Sequence, residues 1–248
     1  MIRPPIVSLA AAFVLAACSQ EEKAPVVLSP EPTVDALVDS VLGGEKVFTA
    51  VPFATVLESA TGKRILPFNP DGSPDAEILE AIRTAMTKTL AEFNKPDSVT
   101  NTEERINEAS AHFEEAILRH LDEQPGISCD YPRTAEGNLQ RAGYPDLRLV
   151  HEATGRVAYL DPKLVEAGSL ASSLRTFYFT PRTQTNKVLD DAHHLLVGIE
   201  HDGHTGRWRF LRWHLVDLAA FRVTLKAEFQ GSNRDLYRPE LLIETREP

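Results

Sequence analysis

Between Ser73 and Pro125 the apolar residues recur every three or four positions; beyond Gly126 they recur mainly every second one. This change of period constrains the fold more than any other feature, because a helix repeats its face every 3.6 residues and a strand every two. In the first stretch Ile78, Ile82, Met86 and Leu90 stand four apart, flanked by Leu79 and Ala85. With Ser73 as N-cap, Pro74 at the first helical position and Pro96 beyond the end, they predict an amphipathic helix. Thr100-Asn101-Thr102-Glu103 has capping-box spacing. A second helix is therefore expected from Glu103 to about Glu123. Ile106, Ser110, Phe113, Ile117, His120 and Leu121 share one face, and Pro125-Gly126 is the stop. Glu103 and Glu114 border that face at 100° per residue, and His120 reads as a hydrogen-bonded, half-buried side chain. Upstream, Phe53 to Gly62 predicts a short helix closed by the glycine, with a short strand after it.

The second stretch reads as strands: "DLRLVHE", "RVAYLDPKLV", "LRTFYFT", "HHLLVGIEH", "RWRFLRWHLVDL" and "RVTLKAEF". "DGHTG", Asp202 to Gly206, marks a second hairpin. Helices followed by strands give an α+β class, with N-terminal helices packed on a mixed, mostly antiparallel sheet. One domain is expected over residues 34–248, helical over 34–126 and sheet-forming over 127–248.

The first hairpin, within "YPDLRLVHEATGRVAYLDPK", carries charges at its open end. A turn centred between Ala153 and Thr154 sets Asp146 against Asp161. A turn centred on Thr154-Gly155 sets Asp146 against Lys163. In either register Asp146, Asp161 and Lys163 converge, and Asp161 and Lys163 share a face because they are two apart. Two converging carboxylates raise each other's pKa unless a cation lies between them. Such hard oxygen ligands suit Mg²⁺ or Mn²⁺, and a lysine beside them suits water activation and phosphate charge.

Pro145-Asp146 followed by Asp161-Pro162-Lys163 resembles the PD-(D/E)xK nuclease superfamily, the restriction-endonuclease-like fold. That fold sets a helix before a hairpin bearing the two motif halves, and a helix-borne glutamate often joins the site. The resemblance covers roughly Glu103 to Thr180. It implies metal-dependent phosphodiester hydrolysis of DNA or RNA, with Asp146 and Asp161 as ligands of Mg²⁺ (or Mn²⁺), Lys163 positioning the attacking water and Glu114 as the helix-borne acid. Ser172 to Phe179 would be the following strand, with Arg175 and Lys187 approaching the phosphate. Pro162 withdraws a ladder donor, so the motif needs an edge or bulged strand.

Residues 1–17 read as a secretory leader, with Arg3 ahead of an apolar run from Ile6 to Ala17. "LAAC", Leu15 to Cys18, resembles a lipobox, which implies lipidation at Cys18; cleavage as an ordinary signal peptide is the other reading. Ser19 after the cysteine favours outer-membrane sorting, so the expected place is the envelope, anchored in the outer membrane and facing the periplasm. Residues 18–33, rich in Pro, Glu and Ser, read as a disordered tether. With Cys18 lipidated, Cys129 has no partner for a disulfide. Cys18 to Ser128 carries 9 Lys and Arg against 20 Asp and Glu, whereas Cys129 to Pro248 carries 16 of each. The acidic half argues against a protein that coats DNA, and a local basic groove stays open to the balanced half. The rival function is a non-catalytic envelope lipoprotein, binding a protein partner on a nuclease-like scaffold.

Two further stretches are weaker. His193, His194, His201 and His204 lie among acids, but the first two are adjacent and face opposite ways on a strand, which disfavours zinc. "RWRFLRWH", Arg207 to His214, interleaves cations and aromatics as base-stacking surfaces do. A strand with its aromatic face in the core accounts for it more simply.

Overall fold

The computed structural model describes residues 49–173, 177–182, 184–225, 232–236, 238–244 and 246. The leader, Cys18, the tether and Arg175 lie outside the described residues.

Val51–Pro52 (β1) leads into Phe53–Thr61 (α1), which Gly62 closes in the left-handed region at φ 70°. Asp75–Phe93 (α2) and Ser110–Asp122 (α3) follow. The strands are Ile127–Asp130 (β2), Leu147–His151 (β3), Arg156–Glu166 (β4), His193–His201 (β5), Phe210–Asp217 (β6) and Arg222–Val223 (β7). A short Asn233–Leu236 helix (α4) comes last. Strands β2 to β6 form one sheet in chain order, and β1 pairs with β7. Only β4 and β5 run parallel in the five-stranded sheet, so it is mixed and mostly antiparallel, as expected.

Alternation along the strands divides the sheet's faces. Leu160, Leu195, Val197 and Ile199 pack with Ile82, Met86, Phe113, Ile117 and Leu121 of α2 and α3. Val157, Tyr159 and Leu196 face the other way, onto Phe53 and Leu57 of α1. Truncating a buried core side chain of this kind costs about 2–5 kcal/mol. Asp161 and Lys163 continue the Val157–Tyr159 face, beyond the part that α1 covers.

Several expectations need correction. Helix α3 begins at Ser110, not Glu103, and 3₁₀ turns occupy Val99–Thr102 and Ile106–Ala109. The capping box does not form: Ser98 Oγ accepts the Thr100 N–H, while the Glu103 carbonyl accepts the Trp208 indole N–H at 3.1 Å. That tertiary bond, with Glu103 paired to His112 at 3.1 Å, holds the segment extended where local signals favour helix. Helix α2 starts at Asp75, and Ser73 Oγ donates to Glu77 Oε1 rather than capping the backbone. Phe177 to Thr180 form no strand; Phe177 and Phe179 instead set their rings edge-on to Phe53. Of the last predicted strand, Arg222–Val223 pair with β1 and Thr224 and Leu225 leave the strand, while the remainder lies outside the described residues.

Candidate active site

The hairpin pairs Leu147 with Leu160 and His151 with Arg156, the register of a turn centred between Ala153 and Thr154. The Asp146 N–H donates to the Leu160 carbonyl at 3.2 Å, closing the hairpin one residue before Asp161. Strand β3 ends there, while β4 continues to Glu166, paired with β5 alone. Peptide groups alternate sides along a strand, so Pro162 turns its nitrogen the way the Leu160 carbonyl points, toward the side that β3 has vacated. No ladder bond is lost, and Pro162 is tolerated in what is locally an edge.

Three charges meet at this end. Lys163 Nζ lies 2.8 Å from Asp161 Oδ2 and 3.2 Å from Asp146 Oδ2, and it also donates to the Pro162 carbonyl. Asp161 is 2% exposed, and the near neighbour of its buried Oδ2 is the Lys163 ammonium. Burial, with Asp146 adding to it, pushes the Asp161 carboxyl up to about 7 against the pull of Lys163. Burial opposes the Lys163 charge, but Asp161 and then Asp146 outweigh it and raise its pKa.

Other charged residues surround this trio. Glu114, from α3, has its pKa raised by burial and by Asp146, against Arg141 and Lys163. Its carboxylate is held by Arg141 at 3.0 Å. Arg141 stacks its guanidinium 3.8 Å above the Tyr131 ring. The loop that brings Arg141 to Glu114 has no periodic signal in the sequence. Lys187 is buried, its Nζ donating to the Gly143 carbonyl at 2.7 Å, so its amine faces the protein. Burial lowers its pKa while Asp146, Asp161 and Glu114 oppose.

Among the described residues no three His, Cys, Asp or Glu side chains stand close enough to hold a metal together. The donor set is thus two carboxylates, one of them buried, with a single ammonium between them. A hard cation that keeps several waters fits such a set.

The histidines have other partners. His193 bonds Asp75 at 2.9 Å and the Leu66 carbonyl at 3.0 Å, and His194 bonds the Tyr144 hydroxyl at 2.6 Å. His120 sits between Glu92 and Glu123, as its position on the helix suggested. Trp208 and Phe210 are buried and Leu211 is exposed, so the aromatic stretch serves the core. Cys129 is buried, and burial pushes its thiol pKa up.

Residues 48–240 match the model of the type II restriction enzyme MjaV family. The chain is 28% identical over 203 residues to the type II restriction enzyme MjaV of Methanocaldococcus jannaschii, covering 78% of this chain and 87% of that one. No solved structure matches.

Proposed function

The chain belongs to the type II restriction enzyme MjaV family, and on that premise we propose that it hydrolyses phosphodiester bonds of DNA with Mg²⁺ or Mn²⁺ held by Asp146 and Asp161. The observation that carries this reading is Lys163 Nζ set within 3.2 Å of both carboxylates, on a strand end that β3 leaves open. When bound, the cation supplies Lewis-acid polarisation of the phosphate and a water of lowered pKa. Lys163 orients the attacking water and offsets the negative charge that builds on the phosphate. Without the cation, the Lys163 ammonium lies against both carboxylates and offsets part of their charge. Arg141, anchored on Tyr131 and Glu114, adds positive charge at the rim. Glu114 acts through Arg141 and through its field on Asp146 and Lys163.

A thermal titration tests the metal site. Millimolar Mg²⁺ or Mn²⁺ raises the melting temperature of the full chain by mass action, and Asp161→Asn abolishes the rise. A folded wild type that shows no shift overturns the reading in favour of the non-catalytic binding module.

The same proposal keeps the lipid anchor, on the strength of "LAAC" and Ser19. Labelling cells that express the chain with a radioactive fatty acid tests it. Label that Cys18→Ser removes supports the lipid anchor; an unlabelled chain overturns it.

A further inference from the structure

Lys163, Gly198 and His214 stand in one row across the sheet: Lys163 pairs with Gly198 on β5, and Gly198 pairs with His214 on β6. Neighbouring strands lie about 4.8 Å apart, so the row spans about 10 Å. All three residues line a groove of about 640 Å³ that continues from the candidate active site.

A glycine inside a strand weakens it, and where no bulge or bend requires it, it marks the close approach of a ligand or another backbone. Gly198 has no positive φ, and the bulge in this pair of strands falls at Glu200 and His201. A Cβ at Gly198 would meet only Leu196 Cδ2 at 3.8 Å and His214 Cβ at 3.9 Å, both ordinary contacts. Neither the backbone nor the packing demands glycine. Its effect is an open floor between an ammonium and an imidazole.

His214 is held in place. Its Nε2 lies 2.7 Å from Glu200 Oε1, and Arg212 Nε lies 3.3 Å from Glu200 Oε2. Glu200 is buried and has both oxygens engaged, so its charge is paired before it reaches the groove. Among the described residues His214 Nδ1 has no hydrogen-bond partner. A phosphate diester suits this row: a fixed imidazole at one end, an ammonium at the other and, among the described residues, only the glycine of the row between them.

We propose that the row is a second phosphate subsite. The sugar–phosphate strand whose scissile phosphate lies at Lys163 runs over Gly198, and His214 contacts the neighbouring phosphate. This rests on the nuclease reading above.

Fluorescence anisotropy with the full chain and a labelled random-sequence DNA duplex tests the subsite, in EDTA at pH 6 over a series of salt concentrations. Gly198→Val is expected to weaken binding about tenfold at every salt without lowering the melting temperature, since valine favours strands. If that variant does not fold, Gly198→Ala decides, with a weakening of about threefold. His214→Gln is expected to reduce the slope of log K against log salt by about one, the signature of one lost phosphate contact. A folded glycine variant that binds as wild type does, or an unchanged slope for His214→Gln, overturns the subsite alone. A wild type that does not bind the duplex overturns the nuclease reading and the subsite with it.

Discussion

Lys163 Nζ lies 2.8 Å from Asp161 Oδ2, an ion pair between two residues on one face of one strand. The pair leaves Asp161 short of full compensation, because the carboxyl is buried beside Asp146 and titrates near 7 rather than at its ordinary 3.8. The sign of the pH effect follows. Between about pH 4 and pH 7 the native chain keeps a proton that the unfolded chain has released, so stability falls as pH rises through this window. The raised Lys163 pKa acts only at alkaline pH, where its stabilisation is lost. Asp161→Asn should flatten the slope and stabilise the metal-free protein at pH 8 by about 2–4 kcal/mol. Urea midpoints in EDTA from pH 4 to pH 8 measure this; parallel curves for variant and wild type would contradict it.

Lys163→Ala separates the role proposed for the lysine from that proposed for the two carboxylates. The variant should keep a melting-temperature rise with Mg²⁺, because Asp146 and Asp161 remain. It should lose at least about 100-fold in cutting rate, the usual share of a group that handles a proton or developing charge. A variant that lost the metal effect as well would make Lys163 structural.

Tyr144 ties the first motif half to the sheet. Its hydroxyl lies 2.6 Å from His194 Nδ1, whose ring is fully buried with Nε2 unpartnered. Burial, with His193 adding to it, lowers the His194 pKa to about 3, so the ring stays neutral. Tyr144→Phe keeps the ring packing on Phe53 and Phe177 but strands the imidazole. A loss of about 1–3 kcal/mol is expected in urea denaturation; a change below about 0.5 kcal/mol would count against the bond's importance.

Pro162→Ala should cost no more than about 1 kcal/mol, through greater freedom of the unfolded chain, and should leave cutting intact. A larger loss would mean that the proline ring packs in a way the vacated strand edge does not explain.

Pro162 also shows how far the sequence could be read. The hairpin, its charged end and the two faces of β4 were legible because a two-residue period and a Gly-containing turn limit the registers. That β3 stops at His151 on one side and begins at Leu147 on the other was not, so the proline looked harder to place than it is. The start of α3 was misread because Trp208, distant in sequence, takes the Glu103 carbonyl. Phe177 and Phe179 have strand-like composition, yet they spend it on a ring cluster around Phe53. Arg141 and Gly198 gave no local signal; their placement depends on which segments the fold brings together.

The most direct measurement is cleavage of supercoiled plasmid by the purified full chain with Mg²⁺, Mn²⁺ or EDTA, beside Asp161→Asn and Lys163→Ala. Nicked and linear products that appear only with metal and vanish in both variants are the expected result. Intact plasmid with a folded wild type, or cutting that persists in either variant, would contradict an active site built on Asp146, Asp161 and Lys163.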